Sequence, residues 1–118
     1  MWQDPRQAER AAWIARAVAH PVRLRILAYL AEQGAYVMDL TTALGRRQAN
    51  ISQHLMVLRE AGLVQAEREG MMVRYTLRSE LVADLLALLA RLAEGLPEEP
   101  SMGLGPRRFR RGRGRGRW

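Results

Sequence analysis

Apolar residues in the first half of the chain recur at the three- and four-residue spacing of amphipathic helices. The pattern predicts four helices, which cover residues 6–19, 21–33, 38–44 and 48–61. Pro5 and Pro21 suit the first position of a helix, where a missing N–H does no harm. Gly34, Gly45 and Gly62 suit helix ends, because glycine readily adopts the left-handed conformation found there.

Two of these helices have a clear apolar stripe. In the second helix it consists of Leu24, Leu27, Ala28 and Ala31. In the fourth helix it consists of Ile51, Leu55 and Leu58, which predicts the inner face of that helix. The opposite, N-terminal face of the fourth helix carries short polar side chains, namely Gln48, Asn50, Ser52 and Gln53.

The period changes to two between Leu63 and Leu77, which is typical of strands. The alternation runs on both sides of Glu69-Gly70, so we expect a β-hairpin with a two-residue turn at that point. Ser79 follows as a natural N-cap for a last helix.

The last helix carries more apolar surface than a small domain covers. Its four charged residues fall within an arc of roughly 80°, and leucines occupy most of the remainder. The surplus predicts contact with the same helix of a second subunit. Burial within one subunit is the alternative. The residues expected at the dimer interface are Leu85, Leu88, Leu89 and Leu92.

The order of these elements is that of a winged helix-turn-helix. We therefore predict a mainly α fold of five helices and a two-stranded wing, dimeric, with the turn at residues 44–47. Donor and acceptor side chains on the fourth helix would read base edges in a major groove. Arg46 and Arg47 would meet phosphates, and Arg68 and Arg74 of the hairpin would reach the flanking backbone. The alternative is that the polar face of this helix is only solvated.

Composition limits the other possibilities. A chain of 118 residues that is 48% hydrophobic fits one domain, which we place at residues 1–96. The absence of cysteine excludes disulfides, thiolate metal sites and cysteine nucleophiles. No apolar run is long enough for a membrane span, and no secretory signal opens the chain, so we expect a cytoplasmic protein without a membrane partner.

The net charge of +7 lies entirely in the C-terminal segment. All 19 basic residues are arginines, and the 12 that precede residue 107 balance the 12 acidic residues. Residues 97–118 are predicted to be a disordered Arg/Gly-rich tail. Its arginines would bind DNA or RNA without sequence preference, or would simply be solvated. They are Arg107, Arg108, Arg110, Arg111, Arg113, Arg115 and Arg117.

Three segments resemble the ArsR/SmtB family: residues 20–27, the recognition segment 44–64, and the wing at 67–77. The resemblance covers roughly residues 10–94. It implies a homodimeric winged-helix repressor that binds an inverted-repeat operator in double-stranded DNA and releases it on binding an inducer. It also implies that Trp13, on the first helix, packs at the dimer interface.

The chain departs from the family at its metal sites. The family's Cys-x-Cys-Asp-Leu motif is replaced by residues 36–40, Tyr-Val-Met-Asp-Leu. Its second site would fall on Ser79, Leu81, Leu92 and Gly95, which cannot hold zinc. We therefore expect no metal and no cofactor. Two histidines without cysteine also make an enzyme improbable.

Four questions stay open at this stage. His54 would either contact DNA or form a hydrogen bond within the subunit, and His20 is expected to cap or pack. A small apolar inducer bound beside Trp13 is an alternative to simple packing. An RNA-binding or nucleoid-associated module acting through the tail is the alternative function. A protein-interaction domain that no longer binds DNA is a further alternative function.

Overall fold

The elements follow the predicted order of helices and hairpin. The computed structural model describes residues 1–96, and the predicted tail at 97–118 lies outside the described residues. The elements are α1 Pro5–Val18, α2 Pro21–Glu32, α3 Val37–Leu44, α4 Gln48–Glu60, β1 Val64–Glu69, β2 Met72–Leu77 and α5 Glu80–Glu94. This confirms the predicted fold class of five helices and a two-stranded wing.

The chain divides into two units. The first, Met1–Ala87, holds α1 to α4, the hairpin and the start of α5. The second begins at Leu88, and its described part is the end of α5 followed by Gly95 and Leu96. Among the described residues, no helix is long and apolar enough to cross a membrane.

Side-chain caps fix the starts of three helices. The Asp4 carboxylate accepts the Arg6 N–H at 2.9 Å, and the Ser79 hydroxyl accepts the Leu81 N–H at 3.0 Å. His20 Nδ1 accepts the Val22 N–H at 3.1 Å, which confirms the expected capping role of that histidine. Each cap satisfies an N–H group that has no partner inside its helix.

The core lies among α2, α3, α4 and the hairpin. Its largest fully buried side chains are Ile26, Leu27, Leu40, Ile51, Leu55, Leu58 and Val64. The predicted inner face of α4 is confirmed. The predicted stripe of α2 is confirmed only at Leu27: Ala28 and Ala31 are exposed and Leu24 is half-buried. The buried residues of α2 are Val22, Ile26, Leu27 and Leu30, because larger side chains fill the contact with the neighbouring elements.

The hairpin turn lies one residue further along the chain than predicted. β1 and β2 pair antiparallel from Val64 opposite Leu77 to Glu69 opposite Met72. The two turn residues are therefore Gly70 and Met71 rather than Glu69-Gly70. Gly70 has φ 63°, so the glycine supplies the left-handed conformation at the first turn position.

A third segment pairs with the hairpin. The Ala35 N–H donates to the Tyr75 carbonyl at 3.0 Å, and the Tyr75 N–H donates to the Ala35 carbonyl at 2.7 Å. Because Ala35 lies between α2 and α3, this pair of hydrogen bonds attaches β2 to the start of the helix-turn-helix.

Candidate nucleic-acid interface

The turn between α3 and α4 sets the direction in which α4 leaves the core. α3 ends at Leu44, and Gly45 follows in the left-handed conformation with φ 67°. The Gly45 N–H donates to the Thr41 carbonyl at 2.9 Å, which closes the last turn of α3. α4 begins at Gln48, so the turn comprises residues 45–47 and is one residue shorter than the predicted turn at 44–47, because Leu44 still belongs to α3.

The N-terminal half of α4 presents polar side chains to solvent. Gln48, Ser52 and Gln53 are exposed, whereas Asn50 is half-buried. Asn50 Oδ1 accepts a hydrogen bond from Arg46 Nε at 2.6 Å. This bond holds the Arg46 guanidinium beside the first turn of α4. Asn50 therefore orients an arginine, and the three exposed side chains are free to meet a ligand.

Cationic groups surround the start of α4. Arg46 and Arg47 are both exposed and, with Gly45 and Asn50, line a shallow cavity of ≈ 360 Å³. Guanidinium groups at a helix N-terminus favour anions, since the backbone N–H groups there add to their positive potential. The cavity therefore has the chemistry to receive a backbone phosphate.

Two apolar side chains on the outward face of α4 were missed in the sequence analysis. Ala49 and Met56 are both exposed, and helical spacing places them between Ser52 and Gln53 on the same face. Apolar groups at such positions contact the methyl group of thymine. Counting along the helix from the buried Ile51 and Leu58 would have identified both.

His54 occupies the inner side of α4. It is only 9% exposed, and its Nδ1 accepts a hydrogen bond from Arg23 Nε at 3.1 Å. Of the two expected roles, the structure therefore gives the hydrogen bond within the subunit and does not present His54 to DNA. The signal lay in the spacing, because residue 54 follows Ile51 by three and precedes Leu58 by four.

The pKa values of both histidines are lowered. For His54 the causes are burial first, then the neighbouring His20, Arg23 and Arg46. For His20 they are burial, then Arg23 and Arg46. Positive neighbours and the loss of water both disfavour the protonated ring. Both rings are therefore held in their neutral form.

The two wing arginines differ in their surroundings. Arg68 on β1 is exposed. Arg74 on β2 is half-buried, and its guanidinium lies so close to Gly34 that a Cβ atom there would collide with it. The structure thus places Arg74 against the α2–α3 connection, while Arg68 is free to approach a phosphate.

A hydrogen bond joins the wing to α3. The Tyr36 hydroxyl donates to Glu69 Oε1 at 2.6 Å. This bond is the main reason that the pKa of Tyr36 is raised, because the neutral phenol is the donor. The end of β1 is therefore attached to the start of the helix-turn-helix, at the position where the family has its first metal-ligand cysteine.

Large apolar side chains are exposed on the first and last helices. Trp13 on α1 is 55% exposed, and on α5 Leu88 is 54% and Leu92 is 68% exposed. Leu85 and Leu89 are half-buried. Trp13 also lines an open cavity of ≈ 520 Å³ on α1, with Arg6, Arg10, Ile14 and other residues. These surfaces are the ones expected at the dimer interface.

The described residues contain no cluster of three histidine or acidic side chains that could hold a metal ion. The residues in place of the family's first metal motif have other partners. Asp39, for example, accepts the Tyr36 N–H at 2.9 Å and thereby caps α3.

A turn-linked helix pair, an outward polar helix face and an attached hairpin define a winged helix-turn-helix regulatory protein. The sequence model of the family described as bacterial regulatory protein, arsR family, matches residues 20–66. The HTH-type transcriptional regulator CmtR of Mycobacterium bovis is 41% identical over 81 residues, which make up 69% of each chain. The biofilm growth-associated repressor of Agrobacterium fabrum is 37% identical over 84 residues, 71% of this chain and 72% of that protein.

Solved structures agree with these relatives. The homodimeric winged helix-turn-helix DNA-binding domain of Mb0332 from Mycobacterium bovis matches with a TM-score of 0.74 and 33% identity, over 84% of this chain and 93% of that one. The chain therefore belongs to the arsR family of bacterial regulatory proteins, and it is a transcriptional regulator with a winged helix-turn-helix DNA-binding domain. These relatives give no support to the RNA-binding alternative.

Proposed function

We propose that the protein is a homodimeric repressor that reads an inverted-repeat operator in double-stranded DNA. The observation that carries the proposal is the division of α4 into two faces. Ile51, Leu55 and Leu58 are fully buried, whereas Gln48, Ser52 and Gln53 are exposed to solvent. A helix fixed by its inner face, with donors and acceptors on its outer face, is suited to a major groove.

Phosphate contacts would come from the arginines around α4. Arg46 and Arg47 flank its N-terminus, and Arg68 reaches out from the wing. Such contacts set the register of the protein on the duplex, and the base contacts of α4 then select the sequence. Arg74 and Asn50 support this surface indirectly, because the first lies against Gly34 and the second orients Arg46.

Dimerisation would occur through α1 and α5. Exposed Trp13, Leu88 and Leu92 would be removed from water between two subunits, with Leu85 and Leu89 beside them. Two copies related by a twofold axis would place their α4 helices in successive major grooves about 34 Å apart. The homodimer from Mycobacterium bovis supports a twofold assembly, and the named repressor of Agrobacterium fabrum supports repression.

The test is a selection of binding sites from a random duplex library with the full-length protein. Excess unrelated DNA is added near physiological salt, because non-specific binding is weakened under those conditions. The expected result is enrichment of an inverted repeat with half-sites about ten base pairs apart. Failure of a folded dimer to enrich any sequence would contradict the proposal. Enrichment from an RNA library alone would favour the RNA-binding alternative.

The arginine tail is proposed to add affinity without selectivity. Its support is the sequence alone, which places seven arginines among the last 12 residues. Deleting residues 101–118 should lower the affinity for all duplexes alike and flatten the dependence of binding on salt concentration. Fluorescence anisotropy with selected and scrambled duplexes measures both effects. A changed sequence preference after the deletion would be evidence against this role.

Two further proposals concern the location of the protein and its response to inducers. Repression would act in the cytoplasm, where a bacterial operator is found. The chain would respond to no metal at the family's two sites, and an apolar inducer beside Trp13 would be the alternative means of release. The absence of a metal response is tested by calorimetric titration of the protein–operator complex with Zn²⁺. Zinc binding that released the DNA would contradict it.

A further inference from the structure

Arg23 connects three helices. It lies on α2, where its Nη1 donates to the Ala17 carbonyl near the end of α1 at 3.1 Å. Its Nε donates to Nδ1 of His54 on α4, also at 3.1 Å. The position of α4, which bears the proposed reading residues, is thus tied through one guanidinium to the helices behind it.

The bond to His54 requires an unprotonated ring nitrogen. A guanidinium is always charged and only donates hydrogen bonds. His54 Nδ1 must therefore offer its lone pair, so the ring is neutral with its proton on Nε2. His20 is held in the same form, because its Nδ1 accepts the Val22 N–H. The two rings are neighbours, with centroids 4.5 Å apart and planes tilted by 54°.

The charged groups that act on this pair are all basic. Arg23 faces His54 from α2, Arg46 faces it from the turn before α4, and the third neighbour is the neutral ring of His20 at the N-cap of α2. The helix α1 contributes the Ala17 carbonyl, which is occupied by Arg23. Within residues 1–96, no carboxylate of α3 or β1 acts on either ring to stabilise a proton. Protonated His54 would therefore be repelled by the two arginines, and no carboxylate of the described residues would stabilise its charge.

We propose that Arg23 and neutral His54 form a positioning pair for α4, and that protonation of His54 shifts the helix and lowers selective DNA binding. The inference rests on the proposed function for its DNA readout and on the hydrogen-bond geometry for the pair itself. Protonation removes the acceptor of the Arg23 bond and places a second cation against the guanidinium. It acts two residues after Ser52, inside the proposed reading segment.

Selectivity, rather than total affinity, is the quantity that separates this effect from simple charge. Added positive charge strengthens phosphate attraction to any duplex, so non-specific binding should rise slightly in acid. A shift of α4 should weaken only the base contacts. The ratio of the affinity for the selected duplex to that for a scrambled duplex should therefore fall as the pH falls.

The DNA experiment measures that ratio for the full-length protein at constant ionic strength, from about pH 7.5 to about pH 5. We expect a fall of about tenfold or more in the wild type. His54→Gln should keep the ratio nearly constant, because the side-chain carbonyl accepts from Arg23 and does not titrate. The control is Arg25→Gln, which removes an exposed arginine of α2 and leaves Arg23 in place. It should keep the wild-type profile. A flat wild-type profile, or one that His54→Gln leaves unchanged, would overturn the proposal.

A second experiment tests the positioning pair in the free protein, without DNA. The ¹⁵N shifts of the histidine rings in the free protein should show the Nε2-protonated tautomer of His54 at neutral pH. The backbone amide signals of α4 should move with the titration of His54 in wild type and in His20→Asn, a variant that keeps a helix cap. They should not move in His54→Gln. An Nδ1-protonated ring, or amides that ignore the titration, would refute the positioning pair.

The two tests also separate the failures. If the wild type shows no selectivity at about pH 7.5, the proposed function fails, and the ring shifts still decide whether the pair positions α4. If selectivity is present but independent of pH, the function stands and the positioning pair falls.

Discussion

Single side chains on α4 divide the work between packing and recognition. Ile51, Leu55 and Leu58 hold the helix in the core, and His54 ties it to α2. The side chains of Gln48 and Ser52 take part in neither task, since both are exposed. Their replacement should therefore affect binding and leave the fold intact.

Gln48→Ala and Ser52→Ala should each weaken binding to the selected operator by about 1–3 kcal/mol where a base contact is lost. Binding to scrambled DNA should change little. Gln7→Ala, which removes an exposed glutamine on α1, is the matched control and should bind as the wild type does. Fluorescence anisotropy provides the measurement. Unchanged operator affinity in both α4 variants would remove α4 from the reading surface.

The histidine pair also predicts the pH dependence of stability. The pKa values of His20 and His54 are lowered on folding from an ordinary value of about 6.5. As the pH falls below about 6.5, the unfolded chain therefore binds protons first, and the free energy of unfolding declines until the folded-state pKa values are passed. Urea unfolding at several pH values should show a smaller decline in His54→Gln than in wild type. An equal decline would mean that other groups cause it.

At the scale of elements, the turn before α4 depends on a backbone that most residues avoid. Gly45 has φ 67°, and nothing occupies the space where a Cβ would stand. The requirement is thus conformational and does not come from crowding. Gly95, at the end of α5, has no positive φ, and a Cβ there would meet only ordinary contacts.

Gly45→Ala should lower the free energy of unfolding by about 1–2 kcal/mol, because alanine in the left-handed conformation is strained. Gly95→Ala should be close to neutral or slightly stabilising. Denaturant unfolding monitored by circular dichroism compares the two. Equal stabilities in both variants would show that the turn tolerates a different conformation at residue 45.

The same elements show what a sequence pattern can and cannot decide. The inner face of α4 was predictable because Ile51, Leu55 and Leu58 form a continuous apolar stripe at helical spacing. α2 carries Leu24 on the side opposite Val22 and Ile26, so the pattern indicated a helix but not which side is buried. Contacts with neighbouring elements made that choice. The hairpin turn moved by one residue because Gly70 serves as the first turn residue, and both registers preserve the alternation.

Side-chain hydrogen bonds between residues far apart in the sequence could not be predicted from the hydrophobic pattern. The Tyr36–Glu69 hydrogen bond spans 33 positions and the Arg23–His54 bond spans 31. Polar residues at such separations have no periodic relation, so only the fold brings them together. Gln53 could be named in advance as solvent-facing because helical spacing places it on the side of α4 opposite the core. The same spacing places Gln48 on the side of Leu55, and Gln48 is exposed as the first residue of the helix.

For the whole molecule, the dimer is the central expectation. Leu92→Glu should shift the protein toward monomer, because a carboxylate would be buried in an apolar interface. Met71→Glu is the control: Met71 is 94% exposed, but it lies in the hairpin turn and should leave the dimer intact. Sedimentation velocity reports the assembly state. A dimer that persists in Leu92→Glu would place the interface elsewhere.

The pairing of Ala35 with Tyr75 has a consequence for how copies of the chain avoid one another. A hairpin has two edges, and each unpaired edge is a template for adding a strand from another molecule. Ala35 occupies part of the β2 edge, and the β1 edge ends in Glu67, Arg68 and Glu69. The partly covered edge and the charged edge both disfavour sheet extension between molecules, in keeping with the proposed dimer through α1 and α5.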